Sequence, residues 1–261
     1  MNQVVRVVVP TLGRRPDWLS LSLSAAANQG QDVEVLVVGP DSPHIRRAAD
    51  ESGARFLKEE GKSLSAAINQ GANADGPYAF FAWIADDDVL APNSMAASRE
   101  RLQYTSASFS FGRVRYIDAD GESKWLLRTG LWAVNYARYG INFIPQPGAL
   151  IRRSAWEAVG GLREDLANAM DHDLFLRLAD ISAPTYIPRE VAAFRVHPGS
   201  ISVLKSSQSE SDAIRSRYAG GGVVNRIVPL TDRFLLSALR RVPGTAAPLV
   251  NGTPYTKAST T

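Results

Sequence analysis

Across the first ninety residues, short β-branched runs alternate with helical patterns, and that alternation leaves few folds open. Residues 4–9 read as an apolar run, the pattern of a strand buried on both faces. A helix is expected over 17–28, a second strand over 33–38, and a helix over 43–52. A short strand at 55–57 and a third helix at 63–74 follow. Residues 78–84 form a strongly apolar strand that stops at Asp86-Asp87-Asp88. Strand–helix units repeated in this way predict a mostly parallel sheet wrapped by helices through right-handed crossovers. Ligands in such α/β sheets gather at the carboxyl ends of the strands. The three aspartates sit at one of those ends.

The middle of the chain changes character. Residues 106–118 alternate as a strand, Asp120-Gly121 makes a turn, and 125–139 is rich in Trp and Tyr. Extended structure returns over 141–152, interrupted by Pro145 and Pro147. A short helix capped by Ser154 is expected over 154–159 and ends at Gly160-Gly161. A further helix covers 171–179, and a late strand 185–197. From about Ser200 a Ser-rich polar linker leads to a hinge at Gly220-Gly221-Gly222. Beyond it come an amphipathic helix at 232–242 and a loose tail. The expected organisation is one domain over 1–202 and an appendage over 203–261.

Composition matters mainly for what it removes. The chain has 261 residues, 45% of them hydrophobic, which suffices for one large α/β domain. A pI of 9.3 looks basic, yet the formal net charge is only +3, which argues against a nucleic-acid partner. With no cysteine, disulfides, thiolate nucleophiles and cysteine zinc sites are excluded, and a cytoplasmic setting is expected. The chain enters a β-type run at once with no basic-then-apolar leader, and no stretch approaches the roughly 20 apolar residues of a membrane span. Any membrane contact is expected to be peripheral; the arginine-bearing helix at 232–242 either packs on the core or a subunit interface or lies on the inner face of a membrane.

Chemistry points first to the acidic triplet. Three carboxylates at a buried strand end repel one another, and a divalent cation relieves that repulsion. Hard oxygen ligands suit Mg²⁺ or Mn²⁺, ions that also bind diphosphates. The competing reading is a solvated acidic turn. Asp171, at a predicted helix start, is either a helix-capping acid or a general base for a hydroxyl. His197, in a turn after a strand, is either a metal or phosphate contact or a plain surface histidine.

Five stretches in order carry a resemblance. They are Val7-Val8-Val9-Pro10-Thr11; residues 63–71; Trp83-Ile84-Ala85-Asp86-Asp87-Asp88 with Pro92; residues 146–153 leading to Gly160-Gly161-Leu162; and residues 171–178. Over residues 4–202 the chain resembles the family 2 glycosyltransferases, which have the GT-A fold. The resemblance implies a metal-dependent, inverting transfer of a sugar from a nucleotide diphosphate sugar, a UDP-sugar first among them. It implies that Pro10, Thr11, Arg14, Lys62, Asn69 and Asp86 hold the donor. It implies further that Asp87, Asp88 and His197 serve a Mn²⁺ or Mg²⁺ ion and that Asp171 is the catalytic base.

The chain departs from the family pattern in three places. Gly39 stands where an aspartate usually reads the nucleobase, leaving Asp41 as a substitute; Ala85 replaces the first acid of the metal motif, and Met170 replaces a glutamate. These replacements keep open a non-catalytic nucleotide-binding or scaffold protein, and a second rival, with a similar sheet and metal need, is a sugar nucleotidyltransferase. The latter lacks its Gly-rich loop in Pro10-Thr11-Leu12-Gly13-Arg14-Arg15. The acceptor is left open between a glycan, a lipid-linked glycan and a protein. Trp125, Trp132 and Tyr136 can either stack on a sugar or pack in the core.

Overall fold

One nine-stranded sheet organises the described residues, which are 3–199 and 208–219 of this computed structural model. Strands β1 (Val5–Pro10), β2 (Val33–Gly39), β3 (Arg55–Lys58) and β4 (Phe80–Trp83) run parallel in the order β3-β2-β1-β4. Helices α1 (Pro16–Ala27), α2 (Pro43–Ser52) and α3 (Leu64–Asn73) connect them. The chain continues through β5 (Val89–Leu90), α4 (Ser94–Gln103), β6 (Phe109–Ile117), β7 (Ser123–Leu127) and α5 (Trp132–Ala137). It then passes through β8 (Leu150–Arg152), α6 (Arg153–Val159), α7 (Met170–Ile181), β9 (Thr185–Arg195) and α8 (Gln208–Ala219). Beyond β4 the sheet order is β8-β6-β9-β5, with β7 also on β6. β8 is antiparallel to both β4 and β6, while β6 and β9 pair in parallel. The result is the mixed, mostly parallel α/β sheet that the strand–helix alternation predicts.

Period-two alternation splits the core into two layers. Val7, Val9, Val35, Val37 and Ile84 pack with residues of α1, α2 and α4 on one face. Val8, Leu36, Phe81 and Trp83 pack with α3, α5, α6, α7 and Ile214 of α8 on the other. Arg6 interrupts the apolar run of β1 and is nevertheless fully buried. Its Nε donates to Glu34 at 2.8 Å, and its Nη atoms donate to the carbonyls of Ala74 and Asp75. A buried guanidinium is tolerated because its donors are met, here by carbonyls just past the end of α3.

Local boundaries moved where side chains gave a misleading cue. Ser154 does not cap α6: Arg152 occupies the N-cap without a side-chain hydrogen bond, and Ser154 lies inside the helix. Of the extended stretch expected at 141–152, only Leu150–Arg152 pairs as a strand, because the two prolines withhold amide donors. Helix α4 had no expectation, since Met95 and Leu102 are its only large buried apolar residues.

The largest difference lies in the Ser-rich segment read as linker, part of which is α8. Helix α7 begins at Ala169 with no side-chain cap of its own. Glu210 of α8 supplies one, accepting hydrogen bonds from the amides of Ala167, Asn168 and Ala169 at 3.0, 2.8 and 2.8 Å. Burial alone would raise the Glu210 carboxyl, but the three amide bonds outweigh it and hold it below the ordinary glutamate range. A carboxylate with a lowered pKa stabilises the fold at neutral pH, and that contribution is lost as pH falls through its folded value. Glu210→Ala should therefore lower unfolding free energy by about 1–2 kcal/mol at neutral pH, with the deficit shrinking in acid. Urea melts of both proteins at two pH values test it, and equal stability at neutral pH contradicts the capping role.

Among the described residues no helix is long and apolar enough to cross a membrane. The boundary drawn at 202, the glycine hinge at 220–222, the amphipathic helix expected at 232–242 and the tail all lie outside the described residues.

Candidate active site

The acidic triplet leaves β4 and turns towards β5, and its three carboxylates go to three different partners. Asp86 accepts a hydrogen bond from the Thr11 hydroxyl, joining the ends of β4 and β1. Burial pushes its carboxyl up; the Thr11 bond opposes this and the charge of Asp87 adds to it. Asp88 is 2% exposed and accepts from the Arg195 amide at 2.8 Å, which pins β9 against β5. Burial and then the Asp87 charge raise its carboxyl well above the usual range. Asp87 remains accessible and meets His197, whose Nε2 lies 2.7 Å from its Oδ2.

His197 Nδ1 accepts from the Gly199 amide at 3.0 Å, so Nε2 carries the proton shared with Asp87. A divalent cation could take that proton's place, because both atoms are metal ligands once deprotonated. Among the described residues no three His, Asp or Glu side chains converge into a ready-made cage, and Asp88 is directed to β9 instead. Such a cage is not required. Mg²⁺ typically takes one or two carboxylates and completes its shell with water and substrate phosphates. Asp87 supplies one such carboxylate, with His197 as a neighbouring nitrogen donor.

Two arginines that sequence reasoning passed over surround the pair. Arg195 is almost fully buried, and its Nε donates to the Asp87 carbonyl at 2.9 Å. Its guanidinium and that of Arg15 both lie over the Trp18 ring, at 5.0 and 5.1 Å, and Trp18 in turn contacts His197 at 4.9 Å. The only sequence hints were position: Arg195 stands two residues before His197, and Arg15 borders α1.

Asp171 lies in the first turn of α7, partly exposed. Asn142 Nδ2 donates to its Oδ2 at 3.1 Å. Burial raises its carboxyl, against the charge of His172 and nearby hydrogen bonds. The same segment reaches the acidic triplet: Gln146 Nε2 donates to the carbonyl of Trp83, the last residue of β4, at 2.9 Å. Residues 142 and 146 can be no more than roughly 14 Å apart. One short segment therefore spans from Asp171 to the strand end bearing Asp86 and Asp87. Gly148 follows with φ +77°, where a Cβ would meet Val191, so the turn needs glycine. The neighbours of Asp171 have other duties. His172 is buried with Nε2 donating to the Ala137 carbonyl at 2.7 Å, and Asp173 pairs with Arg177 at 2.7 Å.

The expected donor contacts are distributed less evenly. Pro10 and Thr11 close β1 beside Asp86, and Arg14 and Lys62 are exposed. Asn69 is committed elsewhere: its amide exchanges two hydrogen bonds with the backbone of Leu162, both at 2.9 Å. Asp41 is held by Arg46 at 2.7 and 3.0 Å, a bidentate surface pair that lowers its carboxyl. Gly39 cannot carry a side chain here, since a Cβ would stand 2.5 Å from the Thr11 carbonyl oxygen. The close approach of the β1 and β2 ends is the physical counterpart of the missing aspartate. Of the aromatics, Trp125 stacks on Tyr116 at 4.4 Å and Tyr136 packs against the core, whereas Trp132 keeps 41% of its surface exposed.

The family model described as Glycosyl transferase family 2 matches residues 6–160, more than half of the chain. Among solved structures, the chain is similar to S. aureus TarS 1-349 in complex with UDP-GlcNAc, with a TM-score of 0.60 at 12% identity over 83% of this chain and 72% of that one. It is similar to the same TarS fragment in complex with UDP, with a TM-score of 0.54 at 12% identity over 83% and 71% of the two chains. Against S. aureus TarS, the TM-score is 0.57 at 13% identity, and the match spans 83% of this chain but 43% of that one. No curated protein matches by sequence. At these identities the structural likeness speaks to the fold.

Proposed function

The chain belongs to glycosyl transferase family 2 and is a glycosyltransferase, and from that premise we propose a specific reaction for it. The donor is a UDP-sugar, and the sugar moves by direct displacement to an acceptor hydroxyl with inversion at the anomeric carbon. Asp171 is the general base. Asp87 and His197 hold a Mn²⁺ or Mg²⁺ ion, with Asp86 facing the donor's ribose. Such an ion, when bound, neutralises the charge growing on the departing nucleotide diphosphate. The observation that carries this reading is the segment holding Asn142 and Gln146, which touches both Asp171 and the end of β4. It links Asp171 to the strand end that carries the acidic triplet, from positions far apart in the chain, which supports assigning both to one site.

The residues divide the work by environment. Asp171 is raised by burial, so it is a better proton acceptor than an exposed aspartate. Asp87, joined to His197, supplies negative charge where a cation would sit. Arg15 and Arg195 add positive charge beside it, as an arriving diphosphate demands. The donor assignment leans on the two likenesses in which TarS carries UDP-GlcNAc or UDP. A panel of UDP-, GDP-, ADP- and dTDP-sugars, scored for nucleotide diphosphate release with Mn²⁺, tests it. UDP release should dominate. Release from a different nucleotide moves the base preference, and release from none leaves a nucleotide-binding protein without turnover.

A further inference from the structure

We infer that Asn142 is the positioning residue for proton transfer, fixing the plane of the Asp171 carboxylate that receives the acceptor's proton. The inference rests on the reading of Asp171 as the base. Its geometry is closed at both ends. Asn142 Oδ1 accepts from the Ile144 amide at 2.9 Å, an Asx-type turn that settles which end of the side-chain amide faces Asp171. The NH₂ end therefore donates to Asp171 Oδ2, at 3.1 Å.

The frame around the pair is fixed. Phe143 and Ile144 are buried, at 4% and 2% exposure, and Phe143 packs against Trp132 and Tyr136 at 5.7 and 5.5 Å. Four residues on from Asn142, Gln146 holds the Trp83 carbonyl. The charged and titratable groups nearby are occupied. On α7, His172 is bonded to the Ala137 carbonyl, and Asp173 is paired with Arg177, with Arg163 and Arg217 of α8 close to it. From α8, Arg215 bears on His172 and pairs with Asp212. Asn142 is thus the side chain hydrogen-bonded to the base from across the site, and it is neutral.

A neutral donor on a carboxylate favours the ionised form, in opposition to burial. Removing it should move the Asp171 titration upward, and a carboxylate in its place should move it further, by like-charge repulsion. The test is a ¹³C NMR titration of carboxyl signals in the full chain, with Asp171 assigned by the signal missing from Asp171→Asn. Asn142→Leu should raise the midpoint by about one pH unit. Asn142→Asp should raise it further, and it keeps the volume and the acceptor for Ile144 should the leucine variant fail to fold. Midpoints within a few tenths of the wild type in the folded variants overturn the assignment. UDP release that survives Asp171→Asn overturns the base itself, and so separates failure of the premise from failure of Asn142.

Discussion

Asp171→Asn is expected to lower sugar transfer by about 10²–10⁴-fold while donor affinity stays near that of the wild type. Asparagine keeps the size of the side chain and still offers an oxygen to Asn142, so the first turn of α7 should hold its place. What disappears is the carboxylate proposed as the proton acceptor. Because burial raises the Asp171 carboxyl, wild-type activity should fall on acidification at a higher pH than an ordinary aspartate would give. The sign follows from the role: a base works ionised, so activity is present above its folded pKa and lost below it. Donor titrations followed by calorimetry, with rates measured in parallel, separate binding from chemistry. A product that keeps the donor's anomeric configuration would count against direct displacement more sharply than any rate.

Asp87→Asn should weaken metal-dependent donor binding by at least about 10²-fold. The amide can still accept from His197, but it brings no charge to a cation. Stability gives a second and opposite readout. The Asp87 charge raises the carboxyls of both Asp86 and Asp88, so its removal relieves repulsion at a crowded strand end. The variant should melt at the same temperature as the wild type or above it while losing donor affinity, a stability–function trade-off. Full turnover in excess chelator, or an Asp87→Asn protein with unchanged donor affinity in Mn²⁺, would remove the metal from the mechanism. A lower melting temperature would mean that Asp87 serves the fold instead.

Both predictions depend on positions that differ in how legible they were. The parallel β1–β4 unit was readable because its information is local. Short valine-rich apolar runs, turn residues between them and helical spacing after them fix strand, loop and helix within a dozen residues. Asp86, Asp87 and Asp88 were visible for the same reason, as charges adjoining an apolar strand. Asp171 stood out as an acid in the first turn of a periodic helix.

Tertiary structure alone decided what each of these groups does. Three adjacent aspartates look alike in sequence, yet one bonds Thr11, one meets His197 and one is sealed against the Arg195 amide. Their partners lie as much as 110 residues away, and a hydrogen bond between such distant groups leaves no periodic trace in either segment. Asn142 and Glu210 were silent in the sequence for that reason, and Arg195 was marked only by its nearness to His197. Each is an ordinary polar residue until the sheet order brings β9 beside β5, the segment ahead of β8 beside α7, and α8 across the start of α7. Local periodicity determined the elements and the acids they carry. Sheet topology, through contacts that sequence spacing cannot encode, determined which acid stays accessible, which is sealed into the fold, and which is bonded by a neighbouring side chain.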